Sequence, residues 1–224
     1  MCRSELWSID IDMLSQLIID NAIDKVVNFS VNEVSEQQLI LVTGAARCGK
    51  SEWAETLAIE SGKTVTYIAT ATIDPTDLEW QARISRHQQR RPATWKTVSA
   101  VEDLATVIDR SQPSDCILVD SLGTWVANLL DRSDTEWEQL TQELLSKLTT
   151  NLATIILVAE ETGWGVVPAY ASGRLFRDRL GMLTRQIGSI STTVYLVTGG
   201  HVLNLSQLGT KLKVGTEIAQ TTQS

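Results

Sequence analysis

The segment Gly44-Ala45-Ala46-Arg47-Cys48-Gly49-Lys50-Ser51 constrains this chain more than any other. It satisfies G-x-x-x-x-G-K-[ST] in full, directly after the apolar run Leu39–Thr43 and directly before a helix-compatible stretch, 50–61. Its two glycines let the backbone curl so that successive N–H groups point into one concavity. The helix that begins near Lys50 adds the positive end of its dipole. Such a loop holds the phosphates of a nucleotide: Lys50 reaches the β- and γ-phosphates and Ser51 offers a hydroxyl to Mg²⁺. Nucleotide contacts are therefore expected at Gly44, Ala45, Ala46, Arg47, Cys48, Gly49, Lys50 and Ser51.

A phosphate loop needs a parallel sheet behind it, and the rest of the chain supplies one. Apolar, β-branched runs recur at Leu39–Thr43, Thr64–Ala69, Cys116–Val119, Thr154–Ala159 and Thr193–Val197 without strict alternation. Strands covered on both faces have this texture. Helix-compatible stretches lie between them, at 76–90, 101–110, 134–150 and 171–187. Strand alternating with helix predicts an α/β layer fold with a mainly parallel sheet flanked by helices. Gly199-Gly200 followed by His201–Leu205 predicts a C-terminal β-hairpin, with His201 structural or on the surface.

Before this domain, residues 9–29 place apolar residues at helical spacing, and residues 30–38 are polar. The expectation is an N-terminal amphipathic helix and linker over 1–38, then one phosphate-loop domain over 39–224. Residues 1–38 are also acidic, with two basic residues against seven acidic ones. The formal net charge of the whole chain is −8, which argues against a nucleic-acid partner. There are three cysteines, Cys2, Cys48 and Cys116, dispersed and odd in number. That excludes a disulfide framework and fits a cytoplasmic setting. No run is long and apolar enough for a membrane-spanning segment, and the N-terminus lacks the pattern of a secretory signal.

Cys116-Ile117-Leu118-Val119-Asp120 ends an apolar strand in an acid, so Asp120 is expected on a strand neighbouring Leu39–Thr43 and, with Ser51, as a ligand of Mg²⁺. Asp120-Ser121-Leu122-Gly123 also matches the D-x-x-G of switch GTPases, but no N-K-x-D guanine reader occurs. His87 lies among Arg83, Arg86, Arg90 and Arg91 in an otherwise acidic protein. Two readings stand side by side on residues alone: a solvated basic helix, or a neutral imidazole nucleophile beside cations that hold a polyphosphate.

In order, ILVTGAARCGKS, YIATA (67–71), RISRHQQRRPATWKT (83–97), ILVDSLGTWVANLL (117–130), ETGWGVVP (161–168) and RLFRD (174–178) resemble the bifunctional adenosylcobinamide kinase / adenosylcobinamide-phosphate guanylyltransferase family of cobalamin biosynthesis. The resemblance spans roughly residues 39–213. It implies a RecA-like phosphate-loop fold and two reactions. One moves the γ-phosphate of ATP or GTP to the hydroxyl of adenosylcobinamide. The other attaches GMP from GTP to a histidine and passes it to the new phosphate, giving adenosylcobinamide-GDP. Here that histidine is His87, with Lys50 as the second catalytic residue. The resemblance further implies nucleotide contacts at Thr70, Ala71, Thr72, Gln88, Gln89, Arg90, Arg91 and Asp120, and a homotrimer. Departures from the family pattern are Arg86, Ser99, Thr184-Arg185 and the extension 1–38. The rival class is a non-enzymatic nucleotide switch or regulatory ATPase, which forms no covalent nucleotide adduct.

Overall fold

The computed structural model describes residues 37–72, 76, 82, 85 and 88–212. The expected N-terminal helix, most of the expected helix 76–90, and His87, Arg83 and Arg86 lie outside the described residues.

Seven strands form one sheet: β1 (Gln38–Gly44), β2 (Thr64–Ala69), β3 (Lys96–Ser99), β4 (Asp115–Asp120), β5 (Thr154–Glu160), β6 (Thr193–Thr198) and β7 (His201–Asn204). Their spatial order is β3-β2-β4-β5-β1-β6-β7. All neighbours pair in parallel except β6 with β7, which are antiparallel. This is the expected α/β fold with its C-terminal hairpin. Gly199 and Gly200 both have positive φ, 56° and 75°, which suits a tight two-residue turn.

The helices are α1 (Lys50–Glu60), α2 (Leu104–Asp109), α3 (Leu122–Asn128), α4 (Asp134–Thr150), α5 (Ala171–Ile190) and the single turn α6 (Leu205–Leu208). Helix α4 starts where Ser133 and Glu136 form a capping box, each satisfying a backbone N–H of the other.

Helices cover the sheet on both faces, which explains the unbroken apolar strands. On one face Leu39, Leu41, Ile117, Val119, Ile155 and Leu157 pack with Leu104 and Ile108 of α2, Trp125 of α3, Leu144 and Leu148 of α4, and Leu180, Leu183 and Ile187 of α5. On the other, Val42, Leu118, Ile156 and Val158 pack against α1 through Ala54 and Ala58. The two alanines let α1 approach the strands closely and so set the phosphate loop just beyond the end of β1. Both cores run the length of β4, β5 and β1, so the C-terminal ends of these strands are held rigidly where ligands bind in such sheets.

One expectation is corrected. Asp120 does not stand on a strand next to β1: β5 lies between them, paired with β4 on one side and β1 on the other. Both β4 and β5 are doubly buried apolar runs, and nothing local distinguishes which of them contacts β1. Three short elements lie outside the expected set: β3, α3 and the single turn α6. The sequence of β3, Lys96-Thr97-Val98-Ser99, is an edge strand with one neighbour and little apolar burial, so its pattern is weak.

Candidate active site

The phosphate loop curls from the end of β1 into α1. Gly44 is buried, and a Cβ there would run into the Val197 carbonyl and the Cys48 sulfur, so only glycine fits. Gly49 caps α1 with φ 98° and gives it no side-chain cap. The first N–H groups of α1 are therefore left to an incoming anion. Ala45, Ala46 and Arg47 are exposed along the loop, and Cys48 is half-buried. Lys50 is buried, and its ammonium donates to the Ala45 carbonyl at 3.2 Å, across the loop it follows.

Beside the loop, Ser51 Oγ donates to Asp120 Oδ1 at 3.2 Å. The intervening strand does not prevent this meeting: Asp120 is paired with Val158, itself level with Val42, so β4 ends two residues short of Gly44, and Ser51 stands in the first turn of α1, the helix that packs over Leu118 of the same strand. A hydroxyl and a carboxylate side by side are hard oxygen donors of the kind Mg²⁺ takes when phosphates and waters complete its shell. Among the described residues no cluster of three or more His, Cys, Asp or Glu could hold a metal by itself.

Tyr67 supports Asp120 from β2, its hydroxyl donating to Oδ2 at 3.1 Å. Burial, and then the negative charge of Asp120, push the Tyr67 phenol far above its ordinary range, so it stays a donor. The Arg91 guanidinium carbon sits 3.4 Å from the centre of the Tyr67 ring. Arg90 pairs with Glu52 at 2.8 Å and Glu55 at 3.3 Å, both on α1. The two arginines are thus anchors between segment 88–91 and the phosphate-loop helix, as well as cations near the site. Gln88 and Gln89 are exposed.

The residues after β2 divide by role. Thr70 is fully buried; its hydroxyl bonds the Ser121 carbonyl at 2.7 Å and also Thr124 Oγ1. It shapes the turn after Asp120. Ala71 is half-buried and Thr72 exposed, with Thr72 Oγ1 donating to Asn128 Oδ1 at 3.2 Å. His201 is exposed, with Nδ1 2.9 Å from the Gly199 carbonyl oxygen, as expected for a surface residue of the hairpin. Ser99 is exposed at the sheet edge, on β3.

Two carboxylates at this edge were not among the expected site residues. Glu160 ends β5 and accepts from Ser121 Oγ at 2.6 Å and from the Gly123 N–H at 3.0 Å. Glu161 follows it; its N–H donates to the Gly44 carbonyl at 2.9 Å and its Oε1 accepts from Thr43 Oγ1 at 2.6 Å. The available signal was an apolar strand ending in two acids, the same signal that singled out Asp120.

No helix among the described residues is long and apolar enough to cross a membrane. The family model for cobinamide kinase / cobinamide phosphate guanyltransferase matches residues 40–205. The bifunctional adenosylcobalamin biosynthesis protein CobU of Escherichia coli is 35% identical over 190 residues, 78% of this chain and 99% of that protein. The Salmonella typhimurium protein of the same name matches at the same identity and coverage. The bifunctional adenosylcobalamin biosynthesis protein CobP of Pseudomonas aeruginosa is 42% identical over 166 residues, 71% of this chain and 92% of its own. A phosphate loop, its serine bonded to the acid that ends β4, and matches of this extent make the chain a member of the cobinamide kinase / cobinamide phosphate guanyltransferase family of enzymes.

Proposed function

We propose that this enzyme phosphorylates adenosylcobinamide with ATP or GTP and then transfers GMP from GTP, through a guanylyl-histidine at His87, to give adenosylcobinamide-GDP. The observation that carries the reading is the tie between segment 88–91 and the phosphate-loop machinery. Arg90 holds α1, and Arg91 stacks on the tyrosine that holds Asp120. The residues directly following His87 in the chain are thereby bound to the elements that grip the triphosphate.

In the first reaction the acceptor hydroxyl oxygen bonds the γ-phosphorus and the bond from that phosphorus to the β–γ bridging oxygen breaks. The loop N–H groups and Lys50 hold the triphosphate and offset the charge that moves onto the leaving diphosphate. In the second, the His87 imidazole bonds the α-phosphorus of GTP and pyrophosphate leaves. A phosphate oxygen of the phosphorylated acceptor then displaces the imidazole and takes the GMP. Ser51 and Asp120 would hold Mg²⁺, which supplies charge neutralisation on the phosphate oxygens. Tyr67 keeps the Asp120 carboxylate oriented. One phosphate loop serves both reactions, so Lys50→Ala should weaken both.

The test is incubation with α-labelled GTP followed by intact mass. A covalent GMP adduct that survives base and is lost in acid is expected, and His87→Asn should abolish it while largely sparing phosphorylation. Label recovered on Lys50 or His201, or a fully active His87→Asn enzyme, overturns the assignment; no adduct at all favours the nucleotide-switch reading. Family membership also supports a homotrimer in a cytoplasmic setting, and light scattering of the purified chain would test the trimer directly.

A further inference from the structure

Three carboxylates meet at the C-terminal edge of the sheet, and their commitments differ. Asp120 faces Ser51 and Tyr67. Glu160 has both oxygens engaged, Oε1 with Ser121 and Oε2 with the Gly123 N–H. Glu161 is held at its backbone by Gly44, the first residue of the phosphate loop, and at Oε1 by Thr43. Its Oε2 has no hydrogen-bond partner among the described residues.

Glu161 also borders a cavity. With Thr43 it lines one side of a space of about 470 Å³ between β1, β6 and α5. Leu41 and Val194 contribute apolar wall, and Arg185 and Lys211 contribute charged groups, the Lys211 ammonium donating to the Ser191 carbonyl at 2.9 Å. Thr184 lines the cavity, and its hydroxyl oxygen, buried behind that surface, has no partner among the described residues. A mixed apolar and polar cavity of this size suits a short hydroxyl-bearing arm. The loop that carries the triphosphate starts at the residue after Thr43, so the Thr43 end of the cavity adjoins the start of that loop.

We propose that this cavity receives the hydroxyl-bearing arm of the phosphoryl acceptor, and that Glu161 is the base that takes the proton of its hydroxyl. The inference rests on the kinase reaction proposed above. The acceptor O–H bond breaks and its proton passes to Glu161 Oε2. The oxygen bonds the γ-phosphorus, and the electron pair of the broken P–O bond leaves on the nucleoside diphosphate. Thr43 keeps the carboxylate turned toward the acceptor by donating to its other oxygen.

The test compares wild type, Glu161→Gln and Glu161→Asp in the phosphorylation of adenosylcobinamide, with triphosphate affinity measured separately by calorimetry. Gln retains an oxygen for Thr43 to donate to but takes no proton. Its turnover should fall by about 100-fold. Triphosphate affinity should stay within about twofold, since Glu161 reaches the loop through its backbone rather than through the phosphates. The acid limb of the wild-type pH–rate profile should disappear in Gln and persist in Asp. Thr184→Leu, which fills the cavity, should raise the acceptor KM by about tenfold and leave triphosphate affinity alone. A Gln variant turning over within about threefold of wild type, or retaining the acid limb, overturns the Glu161 assignment while the kinase reading stands. An Asp variant without that limb overturns it even if the Gln variant does not fold. An unchanged acceptor KM in Thr184→Leu overturns the arm site. A wild-type enzyme that phosphorylates no adenosylcobinamide overturns the kinase reading and this inference together.

Discussion

Replacing Arg179 by Met should destabilise the fold by about 3 kcal/mol. Arg179 is only 2% exposed, yet it carries a charge. One guanidinium nitrogen donates to the carbonyls of Leu129 and Leu130 at 3.0 and 3.3 Å, beyond the end of α3. The other donates to the Arg132 carbonyl at 2.8 Å and to Asp134 Oδ1 at 3.1 Å, at the start of α4. The guanidinium also sits 5.1 Å from the centre of the Trp137 ring. Met fills much of the same volume but donates nothing. The carbonyl of buried Leu129 keeps the Arg132 N–H at 3.2 Å, but it and the half-buried Leu130 carbonyl lose a charged donor, costing about 1.5–3 kcal/mol. Loss of the cation–ring contact adds about 1 kcal/mol. Arg132 and Asp134 are exposed and recover water, and burial of the guanidinium no longer opposes folding, which offsets part of the loss. For a chain of this size each kcal/mol moves the midpoint by about 2–4 °C, so thermal unfolding should fall by about 6–12 °C. Near-ultraviolet circular dichroism follows this through the adjacent Trp125 and Trp137. Arg179→Lys should fall between, because one ammonium cannot reach both helix ends. A Met variant within about 1 kcal/mol of wild type would refute the reasoning, since that is no more than one ordinary hydrogen bond.

Asp120→Asn should leave the fold intact, as its one oxygen still accepts from one of the Ser51 and Tyr67 hydroxyls and its amide group donates to the other, but should lower both proposed transfer rates by about 100-fold by removing the charge that would face Mg²⁺; stopped assays of each half-reaction check this. Tyr67 should remain a neutral phenol at pH 11 in the folded protein. Its folded pKa is raised, so stability is lost once pH rises above the unfolded tyrosine value, and absorbance at about 295 nm should match between wild type and Tyr67→Phe until unfolding begins. The Glu136 carboxyl is held below its ordinary range, first by the Ser133 hydroxyl and then by the Ser133 N–H. Its contribution is present above the unfolded value and fades as pH falls through the folded one. Ser133→Ala should therefore raise the Glu136 pKa, read by NMR titration, and flatten the acid-side slope of stability.

How much of the protein was legible depended on how local each feature is. The phosphate loop was readable because its glycines, lysine and serine act through backbone geometry set within eight consecutive residues. The buried strands were readable because cover on both faces forces unbroken apolar runs, and the hairpin because two glycines in sequence suit its turn. Asp120 was found for the same local reason, as an acid at the end of such a run. Strand order was not readable. β4 and β5 are equivalent as apolar runs, and only pairing between distant segments sets β5 between β4 and β1. Tertiary structure alone also separated the acids at the sheet edge: Glu160 is spent on the α3 turn, whereas Glu161 keeps an oxygen beside a cavity formed by residues from Leu41 to Leu212. Arg179 belongs to the same class, one basic residue among several on α5 until the chain brings the ends of α3 and α4 to it. Local covalent order specifies which elements form and where a backbone can bind phosphate; which side chain meets which partner is decided by contacts between residues far apart in the chain.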